Sequence, residues 1–175
     1  ENETIIGGGR YAVIDETGQS RSAEVAFTIE EDYHRQGMAR ILLQHTLQAN
    51  RAHLAAHPEK QLIPEQQDKF HALIARRKNG EPVAYIVGER EFFGLSFKVT
   101  PAVLIPRPET ELLVEQVLMR LSEHRSARVL DLGIGSGAIA ISIAKHRPLA
   151  QVTAVDVSED ALAIARENAQ RLFAD

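Results

Sequence analysis

Val129-Leu130-Asp131-Leu132-Gly133-Ile134-Gly135-Ser136-Gly137 decides how this chain is read, because an apolar strand pattern ends there in a glycine-rich loop. The run Arg128 to Leu132 has the length and bounding signals of a buried parallel strand. Glycines at 133, 135 and 137 follow, and the alanine-rich pattern from Ala138 to His146 predicts a helix. A strand, a glycine loop and a helix start suit a nucleotide-like ligand. Absent side chains let it approach the backbone, and free amides at the helix start face its polar groups. The spacing is G-x-G-x-G rather than the dinucleotide fingerprint, and no Gly-Lys-Ser/Thr follows, which argues against a phosphate-gripping loop. A second strand, Gln151 to Val155, ends in Asp156. In doubly wound sheets a carboxylate at that point holds ribose hydroxyls. Asp156 also reads as a cap for the helix that starts near Ser158, so both roles stand here.

Asp131, the three glycines and Asp156 together resemble the cofactor site of Rossmann-type methyltransferases that use S-adenosyl-L-methionine (SAM). The resemblance implies a cofactor cradle of Gly133, Ile134, Gly135, Ser136 and Gly137, with Asp156 on the ribose diol.

Composition narrows the classes. The 175 residues, 44% of them hydrophobic, suffice for one domain or two small ones. A net charge of -4 gives no global basic field, so nucleic acid is not an expected partner. The absence of cysteine removes disulfides and thiolate metal sites and permits a cytoplasmic location. No apolar run is long enough to span a membrane, and Glu1-Asn2-Glu3-Thr4 is not a signal peptide. A start on Glu1 rather than methionine reads as processed, trimmed or engineered.

The first 30 residues read as β structure. Tyr11 to Ile14 and the alternating Ala23 to Ile29 flank a polar turn at Asp15 to Ser20, which predicts an antiparallel hairpin. Glu30 to Arg40 then leads into an apolar helix. Over residues 1–45 this resembles the central part of GNAT acetyltransferases, a strand and acidic turn before a loop that holds coenzyme A. The matching positions are His34, Gly37 and Ala39, with His34 standing where that family has Gln or Arg. The resemblance implies acetyl-CoA as an alternative ligand; a hairpin and an ordinary helix start at Gly37 account for the same residues.

The helix after Gly37 is expected to continue through Leu47 and Leu54 until His57-Pro58, and a second fits Pro64 to Asn79. His53 and His57 lie four apart but lack a third ligand, so no metal is expected. Phe92, Phe93, Gly94, Phe97 and Val99 suggest a small hairpin, and Pro101, Pro106 and Pro108 stiffen the loop after it. A helix over Leu112 to Leu121 and a polar linker at Ser122 to Ser126 lead to the glycine loop.

From Gly80 through Leu104-Ile105-Pro106-Arg107-Pro108-Glu109-Thr110-Glu111, and on through Gly133 to Gly137, the chain closely resembles bacterial release-factor glutamine methyltransferases. The likeness reaches back to Ala39 and on through Asp156 and Asn168-Ala169. It implies methyl transfer from SAM to a glutamine side-chain amide of a peptide-release factor. Arg107 and Glu109 border the site or serve the loop structurally. That family fixes the acceptor amide with Asn-Pro-Pro-Tyr, which these residues lack, so no catalytic residue is assigned and the chain alone is expected to be inactive. The resulting expectation is a chimera or truncated chain of α/β class. A GNAT-like hairpin and helix start (1–45) precede a helical segment with a β-hairpin (39–121) and a partial SAM-binding Rossmann unit (122–175). A non-catalytic folded chimera is the other reading. Two parallel strands alone would leave open edges, so self-association through them is also expected.

Overall fold

The computed structural model describes residues 8–14, 20–26, 37–57 and 62–174. Two units divide the chain, Glu1–Val87 and Gly88–Asp175. In the first, strands β1 (Gly8–Ile14) and β2 (Ser20–Ala26) pair antiparallel with Tyr11 opposite Ala23. The expected hairpin is thus present as far as Ala26, while Phe27 to Ile29 and His34 lie outside the described residues.

The single helix expected from Gly37 to His57 is instead two, α1 (Met38–Leu47) and α2 (Arg51–Ala56). Gln48 closes α1 in the left-handed conformation (φ 49°), and Asn50 opens α2 by accepting the His53 N–H at 2.8 Å. An asparagine competes for backbone donors more readily than it extends a helix. Leu47 and Leu54 therefore keep a helical apolar spacing across a real break. Helix α3 (Pro64–Lys78) starts on a proline, whose missing N–H is not needed in the first turn, and Gln66 Oε1 accepts the Ile63 N–H. Asn79 caps its end and Gly80 follows at φ 88°. A short helix, α4 (Val83–Val87), completes this unit. Leu42, Phe70, Leu73 and Ile86 form its core, with Leu43, Ile74, Val83 and Val87 packed around them.

The second unit opens with β3 (Glu89–Phe92) and β4 (Leu95–Lys98), an antiparallel hairpin. Its two-residue turn, Phe93 and Gly94, has positive φ at both positions (52° and 72°), which suits the twist of the strands. Phe92 and Phe97 meet edge to face at 6.2 Å and are almost fully buried. Each such side chain contributes about 1.5–3 kcal/mol. Val103 and Pro106 anchor the loop that follows, and a turn of 3-10 helix at Pro108–Thr110 leads into α5 (Glu111–Arg120).

Strand β5 (Ala127–Leu132), helix α6 (Ala138–His146), strand β6 (Ala150–Val155) and helix α7 (Glu159–Phe173) follow. β5 and β6 run parallel with Val129 opposite Val152, a β-α-β unit of partial Rossmann type. Among the described residues these strands pair only with each other. Cover on both faces was expected, yet exposure alternates along each strand. Val129 and Val152 pack onto a core of Phe92, Phe97, Val114, Ala138, Ile141 and Ile143, so the second hairpin shares the sheet's core without joining the sheet. Leu130 and Leu132 face outward at 61% and 73% exposure. No helix among the described residues is long and apolar enough to cross a membrane.

Candidate cofactor site

The loop between β5 and α6 takes its shape from its glycines. Gly133, Gly135 and Gly137 have φ of 85°, 53° and 86°, values that L side chains rarely adopt. The Gly133 and Ile134 N–H groups both donate to the Val155 carbonyl, which folds the loop over the end of β6. Gly137 closes it by donating to the Ile134 carbonyl at 2.8 Å and then begins α6 with no side-chain cap. The glycines differ in what surrounds them. A Cβ on Gly137 would lie 2.6 Å from Ile141 Cδ1, whereas one on Gly133 or Gly135 would meet nothing within 4 Å. Gly137 is required by packing; Gly133 and Gly135 leave open backbone where a ligand can approach.

Asp156 lies just past β6, and its carboxylate holds two backbone N–H groups rather than capping α7. Its Oδ2 accepts the Gly135 N–H at 2.9 Å and its Oδ1 accepts the Ser158 N–H at 3.0 Å. Capping of α7 falls to Ser158, whose hydroxyl accepts the Ala161 N–H. The Gly135 N–H, then that of Ser158, holds the Asp156 carboxyl below the usual carboxylate range. A carboxylate offers about four acceptor sites, so Asp156 keeps capacity for a diol while holding the loop.

Asp131, at the end of β5, is the opposite case. Burial raises its pKa, the nearby Asp156 charge adds to that, and the Ala140 backbone N–H at the start of α6 opposes both. Its Oδ2 is buried with no hydrogen-bond partner. A buried carboxylate oxygen without a partner, on the strand that leads into the glycine loop, is a group whose lack of a bond calls for an explanation.

Ser136 and Ile134 complete the loop, and Ser136 is 3% exposed. Its carbonyl accepts from Asn168 Nδ2 on α7 at 2.8 Å. Sequence reading gave Asn168 no role; a polar residue on the apolar face of an amphipathic helix was the available signal. Arg107 and Glu109 are exposed, and their side chains make no hydrogen bond or ion pair among the described residues. The neighbouring Glu111 does the structural work instead, its Oε1 accepting the Phe93 N–H at 3.0 Å. Gly37 begins α1 at φ 59° beside Ala39. His57 Nδ1 lies 3.0 Å from the His53 carbonyl, and no group of three or more His, Asp or Glu among the described residues could hold a metal.

Residues 108–174, which contain every member of this loop and Asp156, match the methyltransferase small domain. Residues 28–88 match the PrmC N-terminal domain, a span that includes His34, Gly37 and Ala39. The chain is 53% identical over 136 residues to the release factor glutamine methyltransferase of Bordetella pertussis, 78% of this chain and 50% of that protein. It is 49% identical over 134 residues to that of Escherichia coli, 77% of this chain and 48% of the other. Its homologues are release factor glutamine methyltransferases. The protein from Koribacter versatilis is 50% identical over 136 residues, covering 78% and 49%. The chain thus spans about half the length of the curated relatives it matches.

Proposed function

We propose that the loop Gly133 to Gly137 and Asp156 bind SAM, and that the chain is the SAM-binding part of a protein-(glutamine N5) methyltransferase acting on peptide-release factors. The carrying observation is the Asp156 carboxylate seated on the Gly135 N–H beside open glycine backbone. The donor set fits the cofactor. Asp156 has acceptor capacity for a ribose diol, Gly133 and Gly135 admit close approach, and the unpartnered Asp131 Oδ2 suits a donor such as an amino group. SAM supplies a methyl group already activated on a sulfonium, so the protein's part is orientation and electrostatic support. Identity to the release factor enzymes supports the acceptor assignment. No Asn-Pro-Pro-Tyr occurs in the 175 residues, and Pro106-Arg107-Pro108 offers no substitute, because an amide nucleophile needs acceptors aimed at its N–H groups. These residues alone therefore bind the cofactor without methylating glutamine.

Calorimetry with SAM, S-adenosylhomocysteine and acetyl-CoA tests the reading. SAM and its demethylated product bind, acetyl-CoA does not, and Asp156→Ala weakens binding about tenfold or more, as loss of a charged hydrogen-bond partner requires. Unchanged affinity in that variant would sink the assignment. Binding of acetyl-CoA alone would move it to the loop around Gly37.

A further inference from the structure

Asn168 is fully buried on α7, and its side chain makes three hydrogen bonds that reach two other parts of the unit. Its Oδ1 accepts the Lys98 N–H at 2.7 Å, and its Nδ2 donates to the Lys98 carbonyl at 3.0 Å. The same Nδ2 donates to the Ser136 carbonyl at 2.8 Å, inside the glycine loop. One amide thus grips both backbone groups of the last residue of β4 and one carbonyl of the loop. A buried amide with this many partners is costly to disturb, since removing it leaves an N–H and two carbonyls without bonds.

The rest of the α7–β4 contact is redundant by comparison. Lys98 Nζ pairs with Glu167 at 2.7 Å at the surface, and Arg171 donates to the Ser96 carbonyl and, at 3.4 Å, to Asn168 Oδ1. Exposed pairs of this kind contribute little. Neither touches the loop. The loop's own bonds, Gly135 to Asp156 and Gly137 to Ile134, flank Ser136 on either side. The Ser136 carbonyl shares its peptide plane with the Gly137 N–H, so fixing the one fixes the other and leaves the Gly135 N–H, one peptide further back, a shorter span over which to move.

We propose that Asn168 is a positioning residue for the cofactor loop, holding the Ser136 carbonyl against the β3–β4 hairpin so that the Gly133 to Gly137 backbone is preformed for its ligand. The inference deepens the SAM reading and rests on it for the ligand, but loop geometry can be measured with no ligand present. Asn168→Asp keeps the shape and the acceptor for Lys98 while replacing the two donations with carboxylate–carbonyl repulsion. Asn168→Ser, too short to span Lys98 and Ser136, is the milder variant should the first fail to fold. Val114→Ala, a cavity on α5 in the same core that removes no hydrogen bond to the loop, serves as a control for lost stability.

Amide hydrogen exchange is followed by NMR in the full chain, and affinity for S-adenosylhomocysteine by calorimetry. In either Asn168 variant, exchange at the Gly135 and Gly137 N–H groups rises at least about tenfold and affinity falls by a similar factor, the loss expected for a buried hydrogen bond. In Val114→Ala, exchange at the two glycines changes no more than at the other amides of α6, and affinity is kept. Exchange at Gly135 and Gly137 that moves equally in all three proteins would overturn the proposal and leave Asn168 a general stabiliser. If the unmodified chain binds no S-adenosylhomocysteine, the SAM reading fails, and the exchange pattern still decides whether Asn168 shapes the loop.

Discussion

Helices α1 and α6 begin alike, each on a left-handed glycine with no side-chain cap, Gly37 at φ 59° and Gly137 at φ 86°. Each was a candidate cofactor loop on sequence grounds. Their surroundings differ. The nearest atom to a Cβ on Gly37 would be the Arg40 guanidinium at 3.1 Å, the mobile tip of a long side chain. A Cβ on Gly137 would press on Ile141, which is 5% exposed and has nowhere to go, and would touch Ala165 of α7 at 3.5 Å. Two further left-handed glycines precede Gly137, and a carboxylate from the next strand reaches into its loop. A glycine at a helix start supplies only permission. What sets one of the two apart is the convergence of a second strand's acid on the first strand's loop.

Substitution by alanine separates the two starts most sharply. Gly137→Ala combines left-handed strain with overpacking and lowers unfolding stability by about 2–3 kcal/mol, read from denaturant midpoints. Equal loss at Gly37 would erase the contrast. There the strain acts alone and Arg40 swings aside, so Gly37→Ala costs about 1 kcal/mol.

Acid tests the carboxylate seated on the Gly135 N–H. Asp156 has a lower pKa folded than unfolded, so its contribution is complete above the ordinary aspartate range and is lost as pH falls through the lowered folded value. Protection of the Gly135 N–H, its exchange taken relative to the intrinsic rate at each pH, is expected to fall on that acid limb, and Asp156→Asn to flatten the change. A limb that persists in the asparagine variant would assign the effect to another group.

The smallest effect has the opposite sign. Asp131 has a raised pKa, so its ionised form is disfavoured in the fold and its contribution diminishes as pH rises from the unfolded to the folded value. Asp131→Asn therefore raises stability near neutral pH by less than about 1 kcal/mol, since solvent screens a partly exposed carboxylate. The same variant weakens S-adenosylhomocysteine binding. Thermal unfolding with and without the ligand measures both, and a variant neither more stable nor weaker in binding would remove Asp131 from the site.

Local patterns were legible in the sequence; side-chain hydrogen bonds over long separations were not. The β5–α6–β6 unit, the hairpin at Phe92 and Phe97, and the Pro64 helix all follow from periodicity and glycine placement. The break at Gln48 to Asn50 was hidden, because apolar spacing continued across it while a single asparagine cap decided the outcome. Exposure of Leu130 and Leu132 was equally hidden, since an apolar strand reads the same with one face covered or two. The acid after the second strand, Asp156, was legible, but its bond to Gly135, 21 residues away, was not. Asn168 reaches 70 residues back to Lys98, a distance no spacing rule covers.

The strap between the hairpin and α5 constrains inheritance more than chemistry. It is held at Val103 and Pro106, which are buried, and its far end is tied when Glu111 accepts the Phe93 N–H. Leu104, Arg107 and Glu109 point outward between those anchors. Substitution at the three outward positions removes no internal bond, so in this unit by itself they are free to drift. A one-residue deletion between Val103 and Glu111 must pull either a buried anchor or the Phe93 turn out of place. Among descendants of this sequence, the strap's length and its three anchors are held more tightly than the outward letters between them.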